Sequence, residues 1–243
     1  MTQPLRRGRL FPHSDTRRIV CPGPASVTQV TASSASLARR ERQALCDLAQ
    51  TLDPAAPTLC GDWDLSALLA HLVVRERRPL SAAGIMIPRL AGVTERAMAR
   101  ESAKGLPALV ATLRKPPLTP YSLPVVERFT QTLEYFVHHE DIRRARPGWE
   151  PRELPPADVD ELWDLLSRSG SFLGRGLPVP VRLARADRPG TSAAFRKGAD
   201  PVVVTGPVGE LVMWAFGRTA VRDVTFDGPP DAVAELKASD HRL

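Results

Sequence analysis

Residues 124–148 read PVVERFTQTLEYFVHHEDIRRARPG. Pro124 suits the first turn of a helix, where its missing N–H costs nothing, and Pro147-Gly148 stops one. Between them Val126, Phe129, Leu133, Phe136 and Val137 recur at helical spacing. One long helix to about Arg146 is predicted. On it Glu134 and His138 stand four residues apart, so their side chains stack on one face about 6 Å from each other, close enough to share an ion. A helical wheel sets the pair at the edge of the apolar stripe. That position fits a pocket between helices, and equally a partly exposed surface pair. His139 has Tyr135 at the same spacing and so lacks a carboxylate there.

Upstream, Leu37, Glu41, Ala44, Leu45, Leu48, Ala49 and Leu52 mark a first helix, stopped by Asp53-Pro54 and Pro57. The loop PTLCGDWD follows. Asp64 is a candidate N-cap for LSALLAHLVVRERR, which ends at Pro79. Residues 80–92 are ambiguous. A third helix is predicted over about 93–114, weakened by Gly105 and Pro107. Four helices with short connections argue for a four-helix bundle over residues 34–147. His71 lies mid-helix on an apolar face and must satisfy its ring nitrogens somewhere. It reads either as a satisfied core histidine or, if the second and fourth helices pack together, as the third member of a His2Glu set with Glu134 and His138. Three protein ligands leave one position open, as in catalytic zinc sites.

Downstream, residues 147–155 read as a Pro-rich, charged linker. Residues 156–243 mix types: a helix from Asp158 to about Phe172, strands in VPVRLARA, DPVVVTG and VRDVTF, and helices in GELVMWAFGR and DAVAELKAS. This predicts a small α+β C-terminal domain.

The chain has 243 residues, with 43% hydrophobic and 25% charged, the profile of a globular protein. No apolar run is long enough for a membrane-spanning helix. Three cysteines, Cys21, Cys46 and Cys60, offer no CxxC pair, so a reduced, cytoplasmic setting is expected. A net charge of +6 invites a nucleic-acid reading. Residues 1–40 hold seven arginines and one aspartate, so they carry the whole excess; residues 41–243 balance at 26 bases and 26 acids. No nucleic-acid partner is therefore expected. Residues 1–33 are expected to be a disordered or spurious N-terminal extension, with a superficial likeness to a transit peptide. Four lysines against 29 arginines, with 24 prolines, suggest a GC-rich bacterial genome. No HExxH, GxSxG, GxxxxGK[ST] or GxGxxG occurs, so the corresponding protease, hydrolase and nucleotide-binding readings lack a motif.

Three stretches carry a family resemblance. PTLCGDWDLSALLAHLVVRERRP (57–79) and ERFTQTLEYFVHHEDIRRARPGW (127–149) resemble the mycothiol-dependent maleylpyruvate isomerase-like, DinB-like metal-binding proteins of actinobacteria. ELVMWAFGRTAV (210–221) resembles part of that family's smaller, sterol-carrier-like domain. The wording CGDWD, RERRP and VHHEDIRRA looks nearest to an uncharacterised metal-binding subgroup. The resemblance implies a DinB-like bundle holding one divalent metal, usually zinc, on His71, Glu134 and His138. It implies mycothiol, a low-molecular-weight thiol, as possible cosubstrate, with an electrophilic small molecule as substrate. The implied activity is a thiol-dependent transfer or isomerisation; the alternative is a non-catalytic metal-binding or small-molecule-sensing module. An arginine near the site is expected to hold a substrate carboxylate, and Arg218 is the candidate; the plain reading is a helix-end arginine complementing the dipole. Asp141, one turn beyond His138, could orient its free ring nitrogen. Cys60 sits in the loop of the resemblance, where a nucleophile or fourth ligand is one reading; with no base beside it in the sequence, it reads as packing. Arg75, Arg77 and Arg78 alternate with Glu76 and read as surface pairs, with a thiol-cosubstrate contact as the alternative. Arg143, Arg144 and Arg146 read as solvated helix-end charges, and Glu140 is expected to face away from the site.

Overall fold

The computed structural model describes residues 35–77, 91–115 and 124–239. The expectations for residues 1–33, for most of 80–92, and for Arg78 lie outside them.

Side-chain caps open the first two helices as the sequence suggests. The Ser36 hydroxyl accepts from the Arg39 amide and starts α1 (Leu37–Ala49). Asp64 Oδ1 accepts from the Ala67 amide at 2.8 Å and starts α2 (Leu65–Arg77). The predicted third helix is two, α3 (Ala91–Ser102) and α4 (Leu106–Leu113). Gly105 between them has φ +82°, a left-handed conformation that ends one helix, and Pro107 sits in the first turn of the next. The long helix is α5 (Pro124–Arg144). Its stripe holds over the later turns, where Leu133, Phe136 and Val137 are buried. Phe129 departs from the stripe: it is 48% exposed, with the Arg128 guanidinium 5.8 Å from its ring.

The remainder is α6 (Pro156–Leu173), a 3-10 turn (Gly174–Gly176), β1 (Val181–Arg185), β2 (Ser192–Arg196), β3 (Val202–Gly206), α7 (Val208–Ala215), β4 (Thr225–Asp227) and α8 (Pro230–Ala238). The described residues thus form eight α-helices and one four-stranded sheet in the order β2-β1-β3-β4, an α+β protein. β1 runs parallel to β3; both edge pairings are antiparallel. β1 and β3 alternate buried and half-buried residues, and Val181, Leu183, Val202 and Val204 face the core. β2 was not predicted, for a clear reason: it is an edge strand with Phe195 as its one buried residue, so period-two hydrophobicity is missing.

α1 packs along α5, and α2 packs against α3 and α4. One cluster (Leu45, Leu68, Leu69, Leu109, Tyr135, Ile142 among others) fills that half. A second runs from Leu37, Leu133, Phe136 and Val137 into Leu162, Leu183, Phe195, Leu211 and Trp214. Apolar packing is therefore continuous across residues 147–155. That segment is also pinned: Arg152 donates to both Glu41 oxygens at 2.9 and 3.0 Å. Trp149 lies between the guanidiniums of Arg144 and Arg222, 4.6 and 4.7 Å from its ring centre.

Of the helix-end arginines, Arg146 is exposed as expected, but Arg144 needs correction. Arg144 is 4% exposed rather than solvated. It donates to Glu140 and, through both terminal nitrogens, to Glu210 at 2.8 and 2.6 Å. The end of α5 is covered by α7, so a charge there must be paired to be buried. Glu140 is indeed turned from the metal candidates, into this arginine cluster. Of the basic excess, Arg39 and Arg40 are engaged with Glu127 and Asp158. No helix among the described residues is long and apolar enough to cross a membrane.

Gly174 marks a close approach of the α6 terminus to β2: a Cβ there would overlap the Phe195 carbonyl. Gly174→Ala is expected to lower stability by about 1–3 kcal/mol, as overpacking does. Urea unfolding measures it; an unchanged midpoint would show that β2 can yield.

Candidate metal centre

The site begins in the loop Pro57–Asp64, whose ends form an isolated antiparallel bridge. Thr58 braces it from within: its hydroxyl donates to the Trp63 carbonyl at 2.7 Å and accepts from the Cys60 amide at 3.1 Å. Gly61 takes the tight left-handed position (φ +59°). The Leu59 amide donates to the Asp141 carbonyl at 3.2 Å, tying the loop to α5. So held, Trp63 lies against His71, ring centres 4.9 Å apart.

α2 and α5 meet through side chains. His71 Nε2 lies 3.2 Å from Glu134 Oε1, and His138 Nε2 lies 3.2 Å from the same oxygen. The two imidazoles meet edge to face, centres 5.4 Å apart. Both histidines are buried, and Glu134 is half-buried between them. One candidate ligand atom from each residue lies within 4.8 Å of the others. Two donors bound tetrahedrally to one ion at 2.0–2.2 Å would stand about 3.4 Å apart. The two separations from Glu134 Oε1, 3.2 Å each, are close to that spacing. Sequence spacing suggested the Glu134–His138 pair; side-chain contact between α2 and α5 adds His71 to it.

Electrostatics suit that use. Burial alone would push the Glu134 carboxyl up, but Arg75 and the bonds to His138 and His71 outweigh it and hold it well below its ordinary value. It is a carboxylate. Burial pushes His71 down, only partly offset by Glu134, so its imidazole is neutral and competent as a ligand. Its Nδ1 is buried with no hydrogen-bond partner among the described residues. His138 also feels burial, but bonds to Asp141, Cys60 and Glu134 raise it well above the ordinary imidazole range. An ion at Nε2 would have to displace a proton there.

Asp141 stands behind His138, its Oδ2 3.0 Å from Nδ1. It is fully buried and its carboxyl is lowered to about 2: burial would raise it, and the bonds from His138 and Arg218 prevail. Arg218 reaches it through a helix-end device. Gly217 is left-handed (φ +77°), the Arg218 amide donates to the Met213 carbonyl at 3.0 Å, and the Gly217 amide donates to Trp214 at 2.8 Å. This is a Schellman turn closing α7, and it aims the next side chain at α5. Arg218 then donates to Asp141 from Nε (2.9 Å) and Nη2 (2.7 Å), a two-pronged pair. It also donates to the Phe216 carbonyl at 2.7 Å, so the helix-end role holds as well.

Cys60 is more than packing. Its thiol donates to Asp141 Oδ2 at 2.9 Å, lies 3.5 Å from His138 Nδ1 and accepts from Arg218 Nη2 at 3.3 Å. Cys60, His138 and Asp141 form a second set with ligand spacing. Arg218 already supplies a cation there and occupies both Asp141 oxygens, which disfavours an ion. Cys46, by contrast, is fully buried, and burial pushes its thiol up to about 11.

The surface reading of 75–78 is corrected for two residues. Glu76 is 1% exposed and accepts from Arg42 and from the Tyr135 hydroxyl. Arg75 bends to the centre, its Nε 3.1 Å from Glu134 Oε1. Four residues after His71, it shares that face of α2, a spacing legible in the sequence but not used. Arg77 points away and donates to the Thr112 carbonyl at 2.8 Å.

No protein-family model and no curated protein sequence matches the chain. Among solved structures it is similar to the mycothiol-dependent maleylpyruvate isomerase, with TM-score 0.50, 17% identity, 79% of this chain and 90% of that one covered. A histidine-to-alanine mutant of that enzyme gives the same score and coverage at 16% identity. At such identity the likeness speaks to architecture: this chain has the fold of mycothiol-dependent maleylpyruvate isomerase over four-fifths of its length.

Proposed function

We propose that this chain is a divalent-metal protein, zinc being the best match to the donor set, that works as a thiol-dependent transferase or isomerase on a small electrophile. The observation that carries the reading is the shared oxygen: two buried imidazole Nε2 atoms, each 3.2 Å from Glu134 Oε1. In this reading His71, Glu134 and His138 hold the ion, residues 34–147 are a DinB-like bundle and residues 156–243 a sterol-carrier-like domain. In this reading mycothiol is the cosubstrate, supported by the likeness to a mycothiol-dependent enzyme, and the setting is cytoplasmic, supported by the lack of a CxxC pair.

A divalent ion with an open position would lower the pKa of a thiol placed there and so present a thiolate nucleophile. The chain's own residues do the rest. Asp141 accepts a hydrogen bond from His138 Nδ1–H, which would leave Nε2 as the ring nitrogen free to face an ion. Arg218 holds Asp141 in that pose; with Nε and Nη2 on Asp141 and Nη1 on the Phe216 carbonyl, it would have to give up one of these bonds to take a substrate carboxylate. Trp63 walls one side of His71 against water.

Purified protein incubated with mycothiol and a panel of electrophiles, maleylpyruvate included, is expected to consume thiol in a chelator-sensitive way. Tight binding of a small ligand without turnover of any electrophile would instead establish the sensing module.

A further inference from the structure

Arg75 occupies an unusual place. Its Nε approaches the same Glu134 oxygen that both histidines face, at 3.1 Å. Two further bonds fix the guanidinium: Nη1 donates to Gln131 Oε1 and Nη2 to the Thr130 carbonyl, each at 2.9 Å. Its side chain is 27% exposed against 8% for His71 and 10% for His138, so it forms the solvent-side wall of the centre. An arginine that only oriented a ligating carboxylate would be expected on the far oxygen, leaving the ion-facing one free.

Charge then decides what the open position can accept. Glu134 carries −1 and Arg75 +1, and the Asp141–Arg218 pair cancels. With two neutral histidine ligands, a bound divalent ion leaves about +2 in a poorly solvated site. Replacing Arg75 by a neutral residue would leave about +1, the ordinary balance of a His2Glu centre.

We propose that Arg75 is a positioning residue that makes the metal centre select anionic over neutral ligands for its open position. This rests on the metal reading above. It predicts that a thiol binds as thiolate, and that neutral donors compete poorly.

The test uses full-length protein loaded with cobalt(II), with azide as anionic probe and imidazole as neutral probe, both followed by visible absorption. In Arg75→Met the azide Kd is expected to rise about tenfold, the size of one screened charge at the mouth of a site. The imidazole Kd should change by less than about twofold, because no charge is involved. Arg75→Lys should restore most of the azide affinity, and it covers the case in which the Met variant fails to fold. Cobalt affinity, measured by chelator competition, should be unchanged or higher in Arg75→Met, since a competing cation is removed. A fall of about 10–100-fold in cobalt affinity would mark an ordinary outer hydrogen-bond partner and overturn the proposal. Equal losses for azide and imidazole would overturn it too. If the wild-type protein binds no cobalt, the metal centre itself falls; if it binds cobalt and the azide-to-imidazole ratio is unchanged in Arg75→Met, the role of Arg75 alone falls.

Discussion

On the proposed metal reading, His138→Ala is expected to abolish metal binding. A three-ligand centre spreads its binding free energy over few bonds, so losing one ligand should weaken zinc by about 10²–10³-fold. His138 is also the shared element: Nε2 faces Glu134 and Nδ1 faces Asp141. His71→Ala should do the same from α2. Elemental analysis of each variant after dialysis reads the outcome. Stoichiometric metal that survives both substitutions would end the assignment. Asp141→Asn separates holding from orienting. It leaves all three ligands in place but weakens the acceptor behind His138, and should cost about 10–100-fold in affinity. It also leaves the buried Arg218 guanidinium without a full charge partner, so the melting temperature should fall alongside.

The second large effect is structural. Arg42 on α1 is 2% exposed and Glu76 on α2 is 1% exposed. Arg42 Nη1 donates to Glu76 Oε2 at 2.8 Å, and the Tyr135 hydroxyl on α5 donates to Glu76 Oε1 at 2.8 Å. The Arg42 guanidinium lies 4.4 Å from the Tyr135 ring centre, and a further donor reaches the Leu113 carbonyl. This network clamps α1 onto the two helices that carry the candidate ligands. Arg42→Met strands a buried carboxylate and should cost about 3–5 kcal/mol. Arg42→Met with Glu76→Leu should recover much of that, because the unpaired charge is gone. Urea unfolding at the four corners of this cycle gives the coupling. A single-mutant cost under about 1 kcal/mol would mean that water reaches Glu76 and the pair behaves as a surface one.

Much of this was legible from local chemistry. Ser36 and Asp64 cap their helices because short oxygen-bearing side chains satisfy orphan amides within the same turn. Gly105-x-Pro107 weakened the third helix in the sequence and breaks it in the structure. Glu134 and His138 share a face by the helical repeat alone. The misreadings share one cause. For Glu76, Arg144 and Cys60, residue type and immediate neighbours are all that the local sequence offers. Their partners are Arg42, Glu210 and Asp141, at sequence separations of 34, 66 and 81. A charge run on a helix looks solvated until the element that buries it is known. β2 escaped for the complementary reason, since an edge strand buries one side chain and has no period to read.

The sequence by itself determined where helices start and stop, because caps, prolines and glycines act over a few bonds. It also placed Glu134 and His138 on one face, since i and i+4 must share one, and left His71 open between a core histidine and a ligand. Whether those ligands meet, and what stands around them, was decided only by tertiary structure. His71 and Arg75 reach Glu134 because the folded chain brings these side chains of α2 to α5, and Arg218 reaches Asp141 because a Schellman turn ends α7 beside that helix. Such contacts depend on loop closure and on burial of distant apolar faces, which no local pattern encodes.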